Sequence, residues 1–537
     1  MTVSRMLLSR RVFLASAAAV VVAACSDDSD GGEATVSPTT NAPTTNAPTT
    51  TPTTSTTTTL APIDLPADPF TLGVASGDPD TQSVVLWTRL APLALEGGGM
   101  PADDVPVQWE VSATADFATI AVSGQEIATT DSGHSVHAIA TLAPGSWFYR
   151  FRAGQYVSPT GITRPAPSGE VAELRFAAGS CQNYQSGFYA AHRDIAEHAP
   201  DFMVWLGDYI YEGAGAEGAD PAERVHLGPE PTTVEEYRNR YARYKSDVNL
   251  QAAHAACPWF VIWDDHEVEN NYATLTPQMV EEAAAFEARR FAAYRAWWEH
   301  QPVRLPPPTA QDSEYRIYRD ARWGDLLTVA LLDGRQYRSD QACGDVILSL
   351  EPACAESSDP SRTMLGDEQE QWLIETLTAS TAQWNLVGNQ VILANATLNG
   401  AALNYDMWDG YPVARERLLA SLHTADVQNL IVITGDIHFA AVAQLRSEEV
   451  DVGVEFVTTS ISSAANVDPS FTQALTSFPD LIDVELAHRG YTFHTVTPER
   501  WTAELRMVTD VTLADSEVTT YATYAVEAGS KTAVLAQ

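Results

Sequence analysis

Phe202-Met203-Val204-Trp205-Leu206-Gly207-Asp208-Tyr209-Ile210-Tyr211 is an apolar run that stops on a glycine and passes at once into residues able to bind metal. An apolar run without polar alternation indicates a strand buried on both faces, as in the parallel sheets of α/β proteins. The glycine permits a sharp turn off the strand, Asp208 can bridge two cations, and Tyr211 can reach the same centre. A phenolate ligand points to a ferric ion. Taken alone, Asp-x-x-Tyr fits a structural loop equally well.

The same grammar recurs along the chain. Residues 174–178 lead into Gly179-Ser180-Cys181, 259–263 into Asp264-Asp265-His266-Glu267, and 326–332 into Asp333-Gly334-Arg335. Residues 385–387 lead into Gly388-Asn389-Gln390, 430–434 into Gly435-Asp436-Ile437-His438, and 454–457 into Thr458-Thr459-Ser460. Helical patterns over 276–300, 366–379 and 411–423 lie between some of these strands. The expectation is a layered α/β domain over 172–537, in which the loops converge outside the carboxyl ends of the strands. Asp436 and His438, at i and i+2, face the same way if the strand geometry continues. Several such loops together favour one metal site over separate structural loops.

Residues 69–167 read differently, with short β-type runs at 83–89, 107–112, 136–142 and 147–153 set between Gly, Pro and Asp. These predict a small N-terminal all-β sandwich domain that packs or positions rather than catalyses. Residues 1–25 read as an export leader: Ser9-Arg10-Arg11-Val12-Phe13-Leu14 is a twin-arginine pattern, followed by an apolar run too short to span a bilayer comfortably. Val22-Ala23-Ala24-Cys25 reads as a lipobox that would make Cys25 a lipidation site; the alternative is an ordinary cleaved leader. Residues 26–62, acidic and then Thr/Pro-rich, form a disordered linker or stalk.

The 537-residue chain has 70 acidic and 31 basic residues, a formal charge of −39, which argues against broad binding of nucleic acid or anionic lipid. An anionic substrate would need a local positive centre, and bound cations are the usual way to make one. Of the five cysteines, Cys343 and Cys354 lie close together in a loop rich in Asp, Gly and Pro and are expected to pair in an exported protein. Cys257 reads as a buried apolar residue, and a Cys181–Cys257 disulfide would defeat a metal role for Cys181.

From about Phe70 to near the C-terminus the chain resembles the bacterial alkaline phosphatase D (PhoD-like) family, whose metallophosphatase core is related to purple acid phosphatases. The resemblance rests on Leu72-Gly73-Val74-Ala75-Ser76-Gly77-Asp78-Pro79, Val85-Leu86-Trp87-Thr88-Arg89 and the strand-end motifs above, in the family's order. It implies an α/β metallophosphatase-like sandwich that uses Fe(III) with two Ca(II). Cys181, Tyr211 and His438 would ligate iron, Asp208 would bridge iron and calcium, and Asp265, Asn389 and Asp436 would serve calcium. About seven positive charges against about five ionised ligands leave roughly +2, which matches a phosphate dianion. The implied reaction is in-line attack by a metal-activated hydroxide on a phosphate monoester or diester.

His266 could protonate the leaving alkoxide or merely fix its loop, and Arg335 could clamp phosphate or form a salt bridge. The expected protein is monomeric and exported by the twin-arginine route, as a cell-surface lipoprotein or a secreted enzyme for phosphate acquisition. Its membrane contact would be only through the lipid anchor, and its substrates are phosphate-ester small molecules or phospholipid. The alternatives are a phospholipase D-like phosphodiesterase and a surface binding lipoprotein. Residues 510–537 give no clear amphipathic helix that could gate the site.

Overall fold

The computed structural model describes residues 64–536 apart from 216–220, 222, 280, 310–313, 347–350 and 399. The twin-arginine pattern, Cys25 and the 26–62 stalk lie outside the described residues.

Two sheets form the frame. Leu174–Gly179, Phe202–Trp205 and Pro258–Val261 run parallel at the centre of a ten-stranded sheet. Leu327–Leu331, Trp384–Gly388, Leu430–Thr434 and Val450–Val457 run parallel in a seven-stranded sheet. Their side chains are almost all buried, as continuous apolar runs require. One core cluster joins Phe176, Val204 and Trp205 of the first sheet to Leu331, Ile433 and Phe456 of the second. Helices Gly366–Thr378 and Pro412–Thr424 cover the other face of the second sheet through Leu373, Leu377, Leu418 and Leu422. Helices Ala190–His198, Val234–Lys245, Val248–Ala256 and Ala283–His300 accompany the ten-stranded sheet, giving the expected helix-flanked α/β sandwich.

The N-terminal β-sandwich is present, but one of its sheets belongs equally to the catalytic part. Val74–Gly77 pairs in parallel with Pro258–Val261, and Ser83–Arg89 and Ser135–Thr141 continue outward from it. Val105–Ser112, Val122–Ala128 and Trp147–Ala153, with two short strands, form the opposing sheet over Val84, Leu86, Val107, Val111 and Phe151. The helix expected over 276–300 begins only at Ala283: Pro277 follows a tight turn, and Glu282 is extended with ψ 129°. The tail forms edge strands Val518–Glu527 and Val534–Leu535 rather than a helix.

Candidate metal centre

Because the central strands of both sheets run parallel, Cys181, Asp208, Asp265, Arg335, Asp436 and His438 all leave the carboxyl ends of strands. The turns are tight. Cys181, Asp208, Asp436 and His438 have φ of 58°, 56°, 66° and 62°, a left-handed conformation costing about 1–3 kcal/mol each for a side chain that is not glycine. Gly207 is required by crowding, because a Cβ there would lie 2.4 Å from the Asp264 Cβ. Gly435 is equally confined, with Ser180 Oγ 2.3 Å from where its Cβ would be.

Ligand atoms of Cys181, Asp208 and His438 lie within 4.8 Å of one another. The Tyr211 hydroxyl joins them, donating to Asp208 Oδ2 at 2.9 Å and lying 3.0 Å from His438 Nε2. Ser463 Oγ donates to that phenol oxygen at 2.9 Å, and His438 Nδ1 is fixed at 2.6 Å from the Ala464 carbonyl, leaving Nε2 for the centre. Burial lowers the His438 pKa to about 3 and so keeps the imidazole neutral, the form that ligates. Burial, with Asp208 nearby, pushes the Cys181 thiol and the Tyr211 phenol up, so each needs a cation to ionise. Cys181 and Cys257 are both free and buried, so the disulfide that would have disqualified Cys181 is absent, while Cys343 and Cys354 are bonded.

Two further groups meet the same 4.8 Å limit: Asp208 with Asp265 and His266, and Asp264 with Asp265 and Asp436. The groups form a chain, sharing Asp208 and then Asp265. Asp436 and His438 therefore serve different groups, because the two left-handed residues bend the chain away from strand geometry. Burial pushes Asp208 and Asp436 well above the usual carboxylate range, and neighbouring carboxylates add to it. Burial acts on Asp265 too, but Arg335 and His266 outweigh it and hold the group well below that range.

Arg335 is fully buried. It pairs with Asp264, reaches Asp406 at 2.9 Å, and lies 3.7 Å from both Asp265 and Asp436. The structure thus shows Arg335 in salt bridges, as an internal counter-ion to the buried carboxylates. Asn389 donates its amide to the Val391 carbonyl at 2.7 Å, while its buried Oδ1 has no hydrogen-bond partner among the described residues, an orphaned acceptor of the kind a cation would use.

Sequence reasoning missed four carboxylates. Asp264 belongs to the acidic group, Asp406 pairs with Arg335 and Arg338 beside it, and buried Glu267 accepts the backbone N–H of Asp208, Tyr209 and Asp264 at 2.9, 2.6 and 2.9 Å. It staples two ligand loops together. Glu212, directly after Tyr211, lies 2.6 Å from His266 Nδ1 and accepts the Asn270 N–H at 2.8 Å. Burial alone would lower the His266 pKa, but Glu212, Asp208 and Asp265 hold it well above its ordinary value.

The donor set fits a mixed cluster of cations. Thiol, phenol and imidazole gather at one end, only carboxylates at the other, and so many buried carboxylates exceed what Arg335 can neutralise. Such a centre at the strand ends of a double-sheet α/β sandwich defines a metal-dependent hydrolase of the metallophosphatase type. Residues 176–505 match the PhoD-like phosphatase family and residues 55–167 its N-terminal domain. Alkaline phosphatase D of Bacillus subtilis (strain 168) is 43% identical over 474 residues, covering 85% of this chain and 80% of that protein. The solved structure of PhoD superimposes with a TM-score of 0.84 at 40% identity, covering 88% of this chain and 93% of the other. The chain belongs to the PhoD-like phosphatase family and is a phosphoric ester hydrolase.

Proposed function

We propose that this hydrolase works on one ferric and two calcium ions, and that it is an exported lipoprotein serving phosphate acquisition. The observation that carries the metal reading is the chain of three donor groups linked by Asp208 and Asp265, with Cys181, Tyr211 and His438 confined to one end. Soft and phenolate donors suit iron; carboxylates suit calcium. When bound, the cations would neutralise the phosphate charge and make water acidic enough to attack phosphorus. Asp264 and Asp406 add two anions to the earlier charge count, and Arg335 and Arg338, which both pair with Asp406, add two cations, so the surplus of roughly +2 stands.

Glu212 holds His266 by Nδ1, and Nε2 makes no hydrogen bond to the described residues, so it can deliver a proton to the departing ester oxygen. Tyr211 packs on the same imidazole, with ring centroids 4.0 Å apart, and limits its rotation. The export reading rests on the twin-arginine pattern and the sequence before Cys25. Asp208→Ala should abolish metal-dependent turnover, and Tyr211→Phe should remove the visible phenolate-to-iron absorption. Retention of full activity by Asp208→Ala would sink the proposal. Cys25→Ser should move the exported enzyme from the membrane fraction to the soluble one; unchanged fractionation would refute the anchor.

A further inference from the structure

Gln390 follows Asn389 and, as successive residues leaving a strand do, turns its side chain to the opposite side, between the two sheets. It is fully buried and every polar atom of its amide is used. Nε2 donates to the carbonyl of Trp263 at 2.8 Å and to that of Leu332 at 2.8 Å, while Oε1 accepts the Gly334 N–H at 3.1 Å. Its backbone carbonyl accepts the Gly435 N–H at 2.8 Å. Trp263 precedes Asp264 and Asp265, Gly334 precedes Arg335, and Gly435 precedes Asp436. One side chain and its carbonyl therefore tie together the turns that carry the acidic end of the centre. Trp263 lies just past a strand of the ten-stranded sheet, whereas Leu332 and Gly435 lie just past strands of the seven-stranded one.

We propose that Gln390 is a positioning residue that sets the separation of Asp264 and Asp265 from Asp436, and thereby the calcium affinity of the acidic end. The inference rests on the metal reading above. Calcium is held at oxygen distances of roughly 2.3–2.6 Å, so carboxylates on different sheets bind it jointly only while the sheets keep a fixed spacing. The amide cannot be flipped, since that would set its oxygen against two carbonyl oxygens. Cys181, Tyr211 and His438 are not among its partners, so the iron end should be spared.

The test titrates calcium into chelator-stripped full-length protein, iron retained, by calorimetry, and records the visible iron absorption beside it. Gln390→Met keeps the volume and removes all three side-chain bonds; calcium affinity should fall about tenfold or more, the usual loss when a residue supporting the ligands is removed. The iron absorption should persist. Gln390→Glu sets a carboxyl oxygen against the Trp263 and Leu332 carbonyls and should lose at least as much. Gln444→Met is the control: Gln444 donates to the carbonyls of Gly453 and Lys531 at 2.8 and 2.7 Å, away from the centre, and should lower thermal stability without altering calcium affinity.

Calcium affinity within about twofold of wild type in Gln390→Met overturns the inference, as does an equal loss in Gln444→Met. If Gln390→Met does not fold, Gly334→Ala presses the same contact, because its methyl would stand 3.0 Å from Gln390 Oε1. Unchanged affinity there overturns the inference too. Wild type that binds no calcium refutes the metal reading itself; wild type that binds calcium no better than Gln390→Met refutes only the role of Gln390.

Discussion

Arg335→Met separates two roles for the one arginine at the centre. The guanidinium is buried against Asp264 and Asp406, with Asp265 and Asp436 at 3.7 Å, so removing it leaves several buried carboxylates without their internal cation. Breaking a buried ion pair from one side costs about 3–5 kcal/mol. That loss should appear in urea unfolding of the chelator-stripped protein. Saturating calcium should recover part of it, because the cations supply the missing charge. Inhibition by inorganic phosphate should stay within about twofold if the guanidinium serves the carboxylates Asp264 and Asp406 rather than phosphate. A variant whose stripped form is within about 1 kcal/mol of wild type, and whose phosphate inhibition weakens more than about tenfold, would show the reasoning to be wrong.

Other outcomes are equally definite. His266→Ala should slow hydrolysis of alkyl phosphates by about 10²–10⁴ and affect a nitrophenyl ester much less, with Glu212→Gln in the same direction; a uniform loss across leaving groups would remove His266 as the acid. Burial raises the Glu455 pKa from 4.5 to about 7, while its carboxylate accepts Leu393 N–H, Ala394 N–H and the Thr434 hydroxyl. The folded chain then holds a proton there that the unfolded chain has lost, so this group's contribution to stability falls as pH rises from about 4.5 to about 7. Glu455→Gln should flatten that part of the profile of thermal midpoint against pH, and an unchanged slope would exclude Glu455 as its source. Reducing the disulfide between Cys343 and Cys354, which are 11 residues apart, should cost about 3 kcal/mol, measured by urea unfolding of the oxidised and reduced forms.

Much of the centre was legible because an apolar run that ends in Gly-Asp is a local signal. Leu430–Thr434 and Ser83–Arg89 fall where the pattern of residues puts them. What lay beyond reach was non-local. Nothing in residues 69–167 reveals that Val74–Gly77 will pair with Pro258–Val261, since strand partnership across such a separation leaves no periodicity. Asp264 stood beside Asp265 in the sequence, and strand alternation would have turned it away. The chain instead breaks into a turn there, so both face the cluster. Asp406 sits in a loop with no motif at all. Gln390 escaped notice for a related reason: its partners lie on loops of both sheets, and only the three-dimensional pairing shows them.

The central claim is a centre of iron and calcium built on Cys181, Tyr211, His438 and the carboxylates. Elemental analysis of the purified full-length protein tests it most directly. Iron and calcium at about one to two are predicted. Zinc as the main metal would contradict the account.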